Sequence, residues 1–181
     1  MKKNLTISVL IIASFFILNI NVTAQNKKEE VRLSPKAEVM QQVGFTDVAI
    51  SYGRPGVKGR VIWGKLVPYD AVWRAGANEA TKFTFSTDIN IEGKLLKKGS
   101  YSFFVIPGKK EWTIIFNKVA DQWGAFEYNE TQDALRFKVK PEKGNWQEWL
   151  SYTITKTSDK TAVIRLEWEK LKIPFKIEVK I

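Results

Sequence analysis

The side chains best suited to bind a ligand lie between Tyr52 and Thr84, in a segment dense in arginine and tryptophan. Arginine offers a planar fork of donors that matches a carboxylate or phosphate, and tryptophan offers a flat apolar face to a sugar ring. The candidate residues are Arg54, Arg60, Trp63, Trp73, Arg74, Asn78 and Glu79. We therefore predict a site here for an anionic glycan or a peptide carboxylate.

A purely structural role is the alternative for the same segment. An irregular segment packed on a sheet must satisfy its own backbone and anchor itself. Trp63 and Trp73 would then fill the core, and Arg74 would pair with Glu79. The spacing of these residues fits both interpretations.

The sequence contains no histidine and no cysteine. A Ser-His-Asp triad, a Cys-His pair and zinc sites built from His or Cys are therefore excluded. The chain also has no calcium-binding loop, no phosphate loop and no dinucleotide-binding glycine motif. We therefore predict no metal and no cofactor, and we favour a binding or structural domain over an enzyme.

Paired carboxylates are the catalytic chemistry that remains, because glycoside hydrolases use two of them. The candidates are Glu79, Glu111, Glu127 and Glu148, and none of them lies in a recognisable motif. A carboxylate-dependent carbohydrate-active enzyme is therefore the alternative function.

The N-terminus has the pattern of a secretory signal peptide. Lys2 and Lys3 precede an apolar run from Leu5 to Ile20, which is followed by the small-residue pattern Val22-Thr23-Ala24. We predict cleavage after Ala24 and a periplasmic or secreted product. No cysteine follows that could take a lipid, and no second apolar run is long enough to span a membrane.

The chain is basic, with a formal net charge of +10. Residues 1–24 contain two lysines and no acid, so their removal leaves +8. A third hypothesis follows, in which the protein binds anionic lipid headgroups or lipopolysaccharide at a membrane surface. Export argues against nucleic acid as the partner.

The order of apolar and polar residues predicts strands. Thr46 to Tyr52 alternates between the two classes, and the apolar run Tyr101–Ile106 is followed, after a Pro-Gly turn, by a β-rich run over 111–116. We expect eight to ten short strands in a single antiparallel β-sandwich over residues 34–181, with one long irregular loop and a flexible lead-in at 25–33. A closed β-barrel is the alternative.

Three local predictions are more specific. Arg60 to Trp63 is predicted to be a short strand, and Pro68 to Arg74 either one helical turn or a bent loop. A separate last strand is predicted to begin after Pro174.

Three blocks of the sequence resemble a known family. They read GRPxxKGRxIWGxLVPYxxVWRxGANEAT, IEGKxLxxGxYSFFxIPGxxEWTIIFNK and LEWEKLKIPFKIEV. The family is DUF2911, exported bacterial proteins common in Bacteroidota, and the resemblance covers roughly residues 34–181. It implies a β-rich domain in a Gram-negative periplasm, and it implies no activity, ligand or catalytic residue.

Overall fold

The computed structural model describes residues 31–181. The predicted signal peptide at 1–24 and most of the predicted lead-in lie outside these residues. The described part contains ten β-strands and a single 3-10 turn at Glu130–Gln132. None of its helical segments is long and apolar enough to cross a membrane.

The strands form two antiparallel sheets. The six-stranded sheet has the order β1-β2-β3-β6-β7-β8, and the four-stranded sheet has the order β5-β4-β10-β9. The bounds are β1 Lys36–Val43, β2 Thr46–Gly53, β3 Thr81–Phe85, β4 Ile89–Ile91, β5 Lys94–Leu96, β6 Gly99–Ile106, β7 Trp112–Asn117, β8 Asp133–Val139, β9 Glu142–Lys156 and β10 Thr161–Val179.

The core lies between the inner faces of the two sheets. Phe83 and Phe103 of the larger sheet pack with ring centroids 4.5 Å apart, and Phe103 stacks on Phe175 of the smaller sheet at 5.9 Å. All three rings are at most 2% exposed. Burying each of them stabilises the fold by roughly 1.5–3 kcal/mol. The predicted β-sandwich is confirmed, and the described strands do not close into a barrel.

The predicted pairing of the two central strands is also confirmed. β6 and β7 run antiparallel in continuous register from Ser102 opposite Asn117 to Ile106 opposite Thr113. The predicted alternation of β2 is present as well, because Val48, Ile50 and Tyr52 are buried.

The prediction of a separate last strand was wrong, because β10 continues through Pro174. β10 pairs with β9 as far as Lys172 and with β4 from Ile177 onward. Pro174 lies between these two pairings, so its missing N–H removes no ladder hydrogen bond.

The segment between β2 and β3 has neither the predicted strand at Arg60–Trp63 nor a helical turn at Pro68–Arg74. Its conformation is set by contacts with β6. The Asp70 N–H donates to the Pro107 carbonyl at 2.8 Å, and Trp73 forms a two-way backbone bridge with Val105. These long-range bonds take the place of local helical ones, so the bent loop of our prediction is the form observed.

Candidate functional site

Trp63 and Trp73 are partly buried and pack against the core. The Trp63 ring lies edge-on to Trp112 with centroids 4.9 Å apart, and Trp73 stacks on Trp168 at 5.8 Å. Trp112 and Trp168 are each 1% exposed. The structural interpretation therefore accounts for these two of the seven candidate residues.

Arg54 and Arg60 bind the protein backbone. The Arg54 Nε donates to the Leu150 carbonyl at 2.9 Å, which ties the segment to β9. The Arg60 Nη2 and Nε donate to the carbonyls of Gly56 and Val57 at 2.6 and 3.1 Å. Both side chains fix the shape of the loop.

The alternative that paired Arg74 with Glu79 was wrong. Glu79 forms its ion pair with Arg32 at 2.8 Å instead. Asn78 adopts a left-handed conformation with φ of 63°, and its Nδ2 donates to the Ser34 carbonyl at 3.2 Å. Arg74 makes no side-chain hydrogen bond within residues 31–181 and is half-buried.

The seven candidates therefore do not converge on one site, but Glu79 lines an open cleft. This cleft has a volume of about 320 Å³ and lies against β1, β2, β3 and the connection that follows β7. Its lining residues are Lys36, Ser51, Tyr52, Gly53, Glu79, Ala80, Lys82, Ala120, Asp121, Gln122 and Trp123. We call it the Trp123 cleft.

The floor of the Trp123 cleft is the outer face of the six-stranded sheet. Ser51 lies opposite Lys82, and Lys82 lies opposite Ser102. Side chains alternate across a strand, and the neighbours Tyr52 and Phe83 point into the core. Ser51 and Lys82 must therefore point outward.

One wall of the cleft is a loop held in place by backbone hydrogen bonds. Glu79 forms an antiparallel bridge with Trp123. The Ala80 N–H donates to the Gln122 carbonyl at 3.0 Å, and the Gly124 N–H donates to the Asn78 carbonyl at 3.1 Å. The Trp123 side chain is 60% exposed despite this fixed backbone.

The base of this loop is fixed by the fully buried Asn117. Its Nδ2 donates to the Asn129 carbonyl at 2.9 Å and to Asp133 Oδ1 at 2.8 Å, while its Oδ1 accepts from the Val119 N–H at 3.1 Å. A buried amide with its donors and acceptor used in this way rigidifies its surroundings. The wall that carries Trp123 is therefore anchored at both ends.

The cleft contains charges of both signs. The Lys82 Nζ contacts Asp121 Oδ1 at 2.9 Å, and this carboxylate is 83% exposed. The hydrogen bond from Arg32 holds the pKa of Glu79 below its usual range. Lys36 has no ion pair within residues 31–181. The cleft therefore offers an incoming acid two ammonium groups beside two carboxylates, and the charge of Lys36 also helps to lower the pKa of Glu79.

The carboxylates proposed for catalysis do not assemble. Glu111 pairs with Lys138 at 3.0 Å, Glu148 accepts from the Lys58 N–H at 2.8 Å, and Glu127 is exposed. Glu79 has a lowered pKa, whereas a glycosidase acid needs a raised one. Within residues 31–181, no three acids are grouped in a way that could hold a metal ion.

Sequence reasoning missed Lys36, Lys82, Asp121, Gln122 and Trp123. The outward orientation of Lys36 and Lys82 could have been predicted from the alternation of side chains along a strand. Nothing local indicated that Trp123 would be exposed beside them, because its position depends on a bridge to a distant segment.

Comparisons with known proteins give one match. No curated protein and no solved structure matches the chain significantly. The sequence profile of DUF2911, described as a protein of unknown function, matches residues 34–177. This range spans nearly all of the two-sheet domain, so the chain belongs to the DUF2911 family.

Proposed function

We propose that this protein is an exported, non-catalytic binding domain that recognises an acidic glycan in the Trp123 cleft. The observation that carries the proposal is an exposed indole held by backbone bonds beside two lysines. Concave sites with an aromatic wall and a few placed polar groups are the usual form of small-ligand sites.

The rigidity of Trp123 supports its role as a platform. Its backbone is fixed by the bridge to Glu79, so ligand binding has to order only the side-chain torsions of the ring and not the loop. A flat amphipathic ring of this kind suits the apolar face of a sugar.

The two lysines support an acidic ligand. A sugar carboxylate could pair with Lys36, and it could replace Asp121 at Lys82 because that surface ion pair is exposed and weak. The ligand class is the anionic glycan predicted from the sequence, at a site that shares only Glu79 with the predicted residues.

The export signal supports the location of this activity. The pattern of residues 1–24 is typical of a secretory signal peptide, which supports a location in a periplasm or outside the cell, where a domain can meet acidic polysaccharides.

The membrane hypothesis has less support. Four lysines, on β3, β8, β9 and the turn after β5, each have a carboxylate within 4 Å, so acidic groups lie among these basic ones. The carboxylate-dependent enzyme also has less support, because Glu79 is held ionised by Arg32.

The test is a screen of acidic and neutral glycans, followed by calorimetry with the best acidic ligand. Trp123→Ala should weaken its binding at least tenfold. Trp146→Ala is the matched control, because Trp146 is 54% exposed and does not line the cleft. Absence of any acidic binder, or equal effects of both substitutions, would contradict the proposal. Selective binding of C-terminal peptide carboxylates would replace the glycan with the alternative ligand class.

A further inference from the structure

Arg74 differs from every other arginine of the chain. Of the six arginines, the other five each donate a side-chain hydrogen bond. Arg74 makes none within residues 31–181, and its Nε is shut off from solvent without an acceptor. A buried donor without a partner destabilises the folded state, because it has lost its hydrogen bonds to water.

The backbone places Arg74 on the outer face of the six-stranded sheet. Trp73 exchanges two hydrogen bonds with Val105, at 2.8 and 2.9 Å, and its ring points into the core. Val72 packs on the opposite face, against a small cluster that contains Phe104. Since side chains alternate along an extended segment, Arg74 lies on the same face as Val72, next to Phe104.

The charge of Arg74 is uncompensated in the part of the chain that the structure describes. No carboxylate of residues 31–181 forms an ion pair with it, and burial beside apolar groups lowers the pKa of its guanidinium. Arginine nevertheless stays protonated in proteins. The fold therefore holds a partly desolvated cation that has no countercharge in residues 31–181, and groups of this kind are candidates for binding sites.

We propose that Arg74 is the receptor for an oxyanion, a carboxylate or a phosphate group, at a second site on the outer face of the six-stranded sheet. Because the Arg74 Nε is shut off from solvent, the anion would approach the two Nη groups of the guanidinium. A planar fork pairs with such groups through two parallel hydrogen bonds, and its apolar surroundings strengthen them. Arg74 does not line the Trp123 cleft, so the two proposals can fail separately.

The first test measures the melting temperature in sodium phosphate, sodium acetate and sodium chloride at equal ionic strength. Phosphate, acetate or both should raise it above the chloride value, by about 3–6 °C at ten times the Kd. The two salts separate a phosphate ligand from a carboxylate ligand. Equal melting temperatures in all three salts would overturn the proposal.

Arg74→Met should reduce this increment while leaving the melting temperature in chloride unchanged or higher, because it removes the charge that binds the anion and keeps the apolar stem. Arg165→Met is the matched control and should retain the full increment, since Arg165 already donates to Thr155. An increment as large in Arg74→Met as in Arg165→Met would overturn the proposal, because it would arise from exclusion of the salt or from other sites.

A second measurement uses the unmodified protein and does not depend on how the variant folds. The Nε–H signal of Arg74, followed by NMR during a phosphate and an acetate titration, should shift and saturate with at least one of them. The Nε–H signal of Arg54 should stay fixed because it is bound to the Leu150 carbonyl. A fixed Arg74 signal in both titrations would overturn the proposal.

Discussion

Glu79 and Trp123 form an antiparallel backbone bridge that joins the segment before β3 to the connection after β7. The bridge brings a residue that the sequence singled out next to one that it did not. It also brings the exposed Trp123 to the same cleft as the outward-facing Lys82 of the larger sheet. The cleft is therefore a product of tertiary structure.

Asp121→Asn should strengthen binding of an acidic glycan by a few-fold. The substitution frees Lys82 from its partner at 2.9 Å and removes a negative charge from the cleft. The melting temperature should change little, because exposed ion pairs contribute about 0–1 kcal/mol. Calorimetry and thermal melting measure the two effects.

Glu111→Gln is the control for that substitution, because Glu111 pairs with Lys138 at 3.0 Å outside the cleft. It should leave glycan affinity unchanged. Weaker binding by Asp121→Asn would indicate that Asp121 itself contacts the ligand.

Trp168→Ala should destabilise the domain by about 3–5 kcal/mol, the cost of removing a large buried aromatic side chain. Trp168 is 1% exposed and stacks on Trp73. Denaturant unfolding measures the change, and Trp146→Ala should cost less than about 0.5 kcal/mol as a surface substitution. Similar losses of unfolding free energy in the two variants would show that Trp168 does not contribute to the core.

Glu79 should make stability depend on acid pH. Its pKa is lower in the folded state because of Arg32, so its contribution is present above the unfolded pKa of about 4.3 and is lost as the pH falls through the folded value. Glu79→Gln should therefore melt below the unmodified protein at pH 6. The difference should disappear toward pH 3.

Thermal melts of both proteins across this range measure the effect. The difference should be small, since both side chains of the pair are nearly half exposed. A difference that grows toward low pH would have the wrong sign for a lowered pKa.

The sandwich was predictable because strand alternation is a local property. The alternation in β2 predicts that Val48, Ile50 and Tyr52 form one buried face, and all three are buried in the structure. The long strand β10 was not predictable from local sequence. Pro174 can lie inside it because it falls between the pairing with β9 and the pairing with β4, and the ends of those partner strands are set by the tertiary structure.

The roles of the loop residues were harder to predict for the same reason. Arg54 and Arg74 look alike in the sequence, yet one reaches the carbonyl of Leu150 and the other reaches no acceptor in residues 31–181. Trp63 and Trp123 also look alike. Whether each packs on Trp112 or stays exposed is set by contacts with distant segments.

The most direct test of the Trp123 cleft is NMR of the tryptophan indole N–H signals during titration with the best acidic glycan. We predict a saturable shift of the Trp123 signal, with the Trp146 signal and the buried Trp112 and Trp168 signals unchanged. A ligand that binds and leaves the Trp123 signal unmoved would contradict the proposal.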